Sequence, residues 1–233
     1  MDGILRCSRY SFGPNRLHYC GPDRSAVDMG VEAYLREFKT LYPYLKLIAT
    51  ANNIADPFDT QVVEAYWLGN ELLENISQQK LYQFLLNNLE LKKKIKLKEF
   101  NWLENKLQQG VRPHHSFHVL NLWRQISDRA EAQNFVSLAE CCVSAGKIVS
   151  VKGPEIIVLA ETLIYNQGKI TLGAPENKTL TRQLEAEYDI EQLKPEQLIS
   201  FHWGVPCEVI SEKQASSLKK YTLQNIMFAN QTI

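Results

Sequence analysis

The chain has no long apolar run; nothing in it approaches the roughly 20 residues that a membrane-spanning helix needs. It has no charge excess either. Lys plus Arg number 26 and Asp plus Glu number 26, so no overall field draws the protein to nucleic acid or to anionic lipid. Cysteine is sparse and odd in number, 5 in 233 residues, which argues against a disulfide framework. The thiols read as reduced, and the residues from Met1 to Cys7 carry an early acid and no apolar core, unlike a secretory signal. A cytoplasmic location is the expectation, with neither nucleic acid nor membrane as a partner. There is no glycine-rich phosphate loop, no Gly-x-Ser-x-Gly elbow and no Cys-x-x-Cys pair. Nucleotide hydrolysis, esterase chemistry and a structural zinc ribbon therefore lack support.

What is present is an ordinary globular composition, 45% hydrophobic and 22% charged. The first 24 residues or so, with Gly13-Pro14-Asn15 and Cys20-Gly21-Pro22-Asp23, read as irregular turns. Helical spacing begins at Ser25, where Asp28 completes a capping pattern and Val27, Val31, Tyr34, Leu35 and Phe38 share a face. Pro43 and Asp56-Pro57 are further start signals. Two more helices are expected over 77–89 and 94–107, stopped at Gly110. The lysine cluster at 92–98, interleaved with Leu91, Ile95 and Leu97, reads as a solvated face. One more helix is expected over about 117–132.

Past that point the period changes from helix to strand. Runs at 143–151 and 155–163 are rich in β-branched residues and flank the turn Lys152-Gly153-Pro154. Shorter runs follow at 170–172, 180–184 and 198–203, and a helix starting near Ser211 closes the chain. The expected fold class is α+β: an all-helical domain over 1–138, then a small OB-like or SH3-like β-barrel with a C-terminal helix over 139–233.

The chemistry-bearing residues fall in three places. Cys141 and Cys142 open the strand region, and His202 lies in a late strand, followed by Trp203 and Gly204. A thiolate and a neutral imidazole together suit iron or zinc. Two such ligands would leave positions open for a cargo that must be handed on, and they would need to meet at an accessible point. The second place is Pro113-His114-His115-Ser116-Phe117-His118. His114, His115 and His118 have spacings that could share a helix face, and Asp128 or Glu131 could add a ligand. The third is the N-terminal segment, where His18 and Cys20 could supply further ligands or line an interface.

The stretch Cys141-Cys142-Val143-Ser144-Ala145-Gly146-Lys147-Ile148-Val149 resembles the opening of the HypC/HupF hydrogenase-assembly chaperones, with a cysteine five positions before Gly-Lys. Leu198-Ile199-Ser200-Phe201-His202-Trp203-Gly204 is similar to that family's His-x-Gly strand. The likeness covers the C-terminal two-fifths. It implies a non-catalytic maturation factor whose cysteine carries an iron centre, with a nickel-iron hydrogenase large subunit or a maturation protein as partner. On that reading Cys142, Gly146, Lys147, Trp203 and Gly204 belong to the partner-binding surface, and iron is favoured over zinc. The first part resembles an uncharacterised bacterial helical family found fused to such barrels. That likeness rests on Tyr10-Ser11-Phe12-Gly13-Pro14-Asn15, on Asp56-Pro57 with Val63-Glu64-Ala65-Tyr66-Trp67, and on the histidine stretch. The alternative is a metal-binding enzyme or sensor built on His114, His115 and His118.

Overall fold

The computed structural model describes residues 2–16, 21, 30–123, 134–182 and 193–233. The N-terminal segment expected to be irregular is instead a helix, α1 (Gly3–Arg16). Its inward face is largely polar, with Arg6, Ser8, Tyr10 and Ser11 buried beside Cys7, and for that reason apolar periodicity gave no sign of it. The helix packs on α4 (Thr60–Trp67) and on the last two strands of the sheet.

Between these lie α2 (Val31–Arg36) and α3 (Leu41–Ala51), the latter with Pro43 in its first turn, where a missing N–H costs nothing. The residues Ser25, Val27 and Asp28 of the expected capping pattern lie outside the described residues. Asp56 does not cap α4; its carboxylate accepts from Phe58 N within a turn, and Asp59 caps the helix by accepting from Gln61 N at 2.8 Å. Ser77 caps α5 (Gln78–Asn87), and α6 (Leu91–Lys94) and α7 (Leu97–Gln108) follow. Next come the single turn α8 (His115–Phe117) and a π-helical stretch at His118–Trp123; the rest of the expected 117–132 helix lies outside the described residues. Helix α9 (Phe135–Cys141) then leads into the sheet.

The strands are β1 (Ser144–Lys152), β2 (Glu155–Ala160), β3 (Leu163–Asn166), β4 (Lys169–Leu172), β5 (Glu176–Thr181), β6 (Leu198–His202) and β7 (Val205–Val209), before α10 (Glu212–Ala229). The expected closed barrel is not what they form. Five of them make an open antiparallel sheet in the order β5-β2-β1-β6-β7, while β3 and β4 pair as a separate hairpin. Register breaks in β1 between Ile148 and Ser150, and in β6 between Ser200 and Phe201, bend the strands. The sheet thus curls around a core of its own, formed by Ile148, Ile156, Val158, Leu180, Ile199 and Phe201. The edge strands β5 and β7 approach each other without pairing, and α1 packs against β7. At the far edge a hydrogen bond from Thr181 N to Gly204 O, at 2.9 Å, reaches back towards the β6–β7 turn without making a ladder.

The main apolar core runs across position 138. Tyr10, Trp67 and Phe117 share it with Val143, Cys207, Tyr221 and Phe228. A buried polar network pins the same seam. Arg6 Nε donates to Glu208 at 2.8 Å and Arg6 Nη1 to Glu64 at 2.9 Å, while Tyr10 Oη donates to Glu208 at 2.7 Å. Among the described residues no helix is long and apolar enough to cross a membrane.

Candidate metal centre

Three elements distant in sequence converge where the helical part meets the sheet. Pro113 and His114 lead into α8 in extended backbone, and His114 acts as its cap, its Nδ1 accepting from Ser116 N at 3.1 Å. This turns the next residue, His115, inward. Cys141 ends α9. His202 ends β6, immediately before a two-residue hairpin turn in which Trp203 and Gly204 both have positive φ, 54° and 69°. That is the turn type favoured between antiparallel strands, and it is the reason a glycine stands at 204.

The turn docks on the end of α9. Trp203 N donates to Glu140 O at 3.0 Å. The next carbonyl, that of Cys141, faces two imidazoles: Nε2 of His115 lies 2.8 Å away and Nε2 of His202 2.9 Å away. The ligand atoms of His115, Cys141 and His202 all lie within 4.8 Å of one another. Among the described residues this is the one group of three or more potential metal-binding side chains.

Aromatic rings form the walls. Trp67 lies 4.4 Å from the His115 ring and 5.6 Å from the His202 ring, centre to centre, and Tyr10 stacks on it at 5.1 Å. His202 is 2% exposed and His115 7%, while Cys141 is half-buried, so access to the cluster is from the thiol side. Thiol and imidazole are expected to meet at an accessible point; they come together, but His202 is enclosed, so of the pair only Cys141 is partly exposed.

Burial decides protonation. Desolvation lowers the pKa of His202 to about 4, against the pull of the Tyr10 and Cys141 carbonyls, and it pushes His115 well below its ordinary value. Both rings are therefore neutral near neutral pH, and a neutral imidazole has one N–H. For His115 one N–H suffices. Nε2–H can serve the Cys141 carbonyl while Nδ1, 3.2 Å from Tyr66 Oη, accepts; in the other tautomer Nδ1–H donates to Tyr66 Oη and Nε2 keeps a lone pair for a metal. His202 is different. Its Nδ1 lies 2.7 Å from Tyr10 O and its Nε2 2.9 Å from Cys141 O. Both neighbours are acceptors, so one ring nitrogen directs a lone pair at a carbonyl oxygen. In the tautomer that donates Nδ1–H to Tyr10 O, the shorter of the two contacts, that lone pair is on Nε2, on the side of Cys141 and His115. A cation among the three would convert this repulsion into a ligand bond, and the C-terminal end of α9 adds carbonyl dipoles of favourable sign.

The three histidines of 114–118 do not form one ligand set. The His114 ring stacks on Tyr221 at 5.4 Å, and burial lowers its pKa to about 3. His118 packs edge-on against Tyr44 at 5.6 Å. His114 precedes the helical turn in extended backbone, while His115 and His118, both on the helical backbone, pack against different rings, Trp67 and Tyr44. Only His115 joins Cys141 and His202, and its role was not legible from local spacing. Nor was the part played by Trp67 as a wall and by Tyr10 as the residue that orients His202. His18, Cys20, Asp128 and Glu131 lie outside the described residues.

The chain matches one family model over residues 1–233, described as a family of unknown function (DUF6390). It belongs to that family. The match spans both the helical part and the sheet, so all three converging elements lie within it. No curated protein and no solved structure matches the chain.

The expected partner surface divides. Cys142 is 2% exposed and packs with Leu138, Leu163 and Ile226, so it offers no contact face. Gly146 is buried too, where a Cβ would stand 3.0 Å from that of Ala160; the glycine serves the close approach of β1 and β2. Lys147 is exposed and paired with Glu196. Trp203 and Gly204 are partly exposed at the hairpin tip.

Proposed function

We propose that the protein is an accessory factor in metalloenzyme assembly that holds a transition-metal ion on His115, Cys141 and His202 and yields it to a client. The observation carrying this reading is the convergence of one thiol and two imidazoles within 4.8 Å, with a carbonyl acceptor at both ring nitrogens of His202. Sulfur with two nitrogens suits iron, zinc or copper rather than magnesium or calcium. Three protein ligands leave a position open, as transfer to an acceptor requires, whereas a structural zinc site closes its shell with four. Cys141 is the most exposed of the three, so an acceptor would meet that residue first.

A nucleophilic thiol is the weaker reading of the same residues. Cys141 stands at the carbonyl end of its helix, where a bare thiolate meets like partial charge and a sulfur-bound cation meets the opposite. The likeness of the β1 and β6 segments to HypC/HupF proteins supplies the client class: a nickel-iron hydrogenase large subunit or a maturation protein, with iron as cargo.

Elemental analysis of protein purified without an affinity tag tests the metal. About one ion per chain is expected, lost in Cys141→Ser and His202→Gln and kept in His118→Gln. Metal-free wild-type protein, or an ion retained in Cys141→Ser, overturns the reading. Tagged protein recovered from its native host under hydrogenase-inducing conditions tests the client. Recovery of neither a large subunit nor a maturation partner removes the hydrogenase assignment and leaves the metal one standing.

A further inference from the structure

The two imidazoles of the metal centre are held from behind by different kinds of atom. His202 Nδ1 faces the Tyr10 carbonyl at 2.7 Å, a group that only accepts. His115 Nδ1 faces the Tyr66 hydroxyl at 3.2 Å, a group that both donates and accepts. Tyr66 stands on α4 beside Trp67 and is 2% exposed. Its ring is set across that of His115, 5.4 Å between centres and 71° between planes. The oxygen is fixed in place, while its proton rotates to suit its partner.

That difference matters because His115 has to be satisfied in two states. Without a metal, its Nε2–H can donate to the Cys141 carbonyl at 2.8 Å, and Nδ1 then accepts from Tyr66. With a metal on Nε2, the ring proton stands on Nδ1, and that buried N–H needs an acceptor. A carbonyl behind the ring would suit only the loaded state, and an N–H only the empty one. A hydroxyl suits both.

We propose that Tyr66 is the positioning residue that lets His115 take up and release a metal, donating to Nδ1 when the site is empty and accepting from Nδ1–H when it is loaded. This rests on the metal-carrier reading above and deepens it, since a carrier needs both states within reach. The imidazole stays neutral throughout: one proton leaves Nε2 for solvent as another arrives at Nδ1, and the thiol of Cys141 gives its proton to solvent on binding. The loaded state gains more from Tyr66, because a metal-bound ring is the stronger N–H donor.

Two measurements on the full chain test this. Zinc affinity, read by competition with a chromophoric chelator, should fall about tenfold in Tyr66→Phe, the lower end of the usual effect of removing such a partner. Tyr44→Phe is the control. Tyr44 Oη stands 3.5 Å from Nδ1 of His118, a buried pair outside the three ligands, and that variant should bind zinc as the wild type does. Long-range proton–nitrogen NMR of protein labelled at histidine needs no variant, so it preserves the test if Tyr66→Phe misfolds. His115 should carry its proton on Nε2 in the zinc-free chain and on Nδ1 in the zinc-loaded one. Wild-type protein that binds no zinc removes the carrier reading and this inference together. Zinc binding that is equal in wild type and Tyr66→Phe, a loss in Tyr44→Phe as large as in Tyr66→Phe, or a His115 proton that stays on Nε2 after loading overturns this inference alone.

Discussion

Two buried polar centres sit side by side where the helices meet the sheet, and they differ in completeness. Around Arg6 the donors and acceptors match. Its guanidinium serves Glu208, Glu64 and the Thr60 carbonyl, Tyr10 completes Glu208, and Gln214 Nε2 donates to Glu64 at 2.7 Å. Around Cys141 they do not match, because His202 has two acceptors and one proton. Tyr10 belongs to both, with its hydroxyl in the first and its carbonyl in the second. A centre with its valences filled holds structure together. One with a spare lone pair has capacity for a cation.

If that contrast is right, the completed centre is where stability is most sensitive. Arg6→Met strips the cation from Glu208, a side chain 7% exposed, and should cost about 3–5 kcal/mol in urea denaturation, the usual penalty for orphaning a buried charge. A loss below about 1 kcal/mol would show that the network is dispensable.

The next effect is on acid stability. His118 is neutral in the fold because burial lowers its pKa to about 4, with Lys94 adding to the shift, against 6.5 ordinarily. As pH falls from 6.5 towards about 4, the unfolded chain takes a proton that the folded one refuses. Stability should therefore decline by about 1.4 kcal/mol per pH unit from this residue, and the loss is complete below the folded pKa. His118→Gln should flatten that limb when urea midpoints at about pH 7 and about pH 5 are compared. An unchanged slope would contradict the assignment.

Lys106 tests the same linkage in the alkaline range. It is 2% exposed, and its ammonium donates to neutral oxygens, Asn121 Oδ1 at 3.2 Å and Thr232 Oγ1 at 2.8 Å. Burial lowers its pKa to about 8. Lys106→Met should stabilise the protein at neutral pH by about 1–2 kcal/mol after the lost hydrogen bonds are counted. That gain should fade as pH rises from 8 towards 10.5, where the native lysine sheds its proton. A destabilised variant at neutral pH would contradict this. The smallest effect is expected at the exposed Arg36–Glu32 pair, where Glu32→Ala should cost no more than about 0.5 kcal/mol.

The same contrast explains what could be read in advance. Strand β1, the turn into β2 and the closing helix capped by Ser211 follow from patterns within a few residues and form as expected, whereas the run expected over 155–163 ends at Ala160 and Leu163 opens a separate hairpin. Helix α1 was illegible because its buried face carries Arg6, Ser8, Tyr10 and Ser11, and Arg6 and Tyr10 find their partners across the fold. The open sheet was illegible for a related reason: alternation specifies which strand face is buried, not whether a helix or another strand buries it. Cys141 and His202 were legible as residue types. His115 was not assigned to them, because its neighbours in sequence offered a nearer grouping that packing against Tyr221, Trp67 and Tyr44 separates.

X-ray absorption at the metal edge of protein loaded with zinc or iron(II) addresses the centre most directly. A coordination sphere containing one sulfur near about 2.3 Å and imidazole nitrogens near about 2.0–2.1 Å, with the sulfur contribution gone in Cys141→Ser, is the predicted result. A sphere of oxygen and nitrogen alone in the wild-type protein would contradict it.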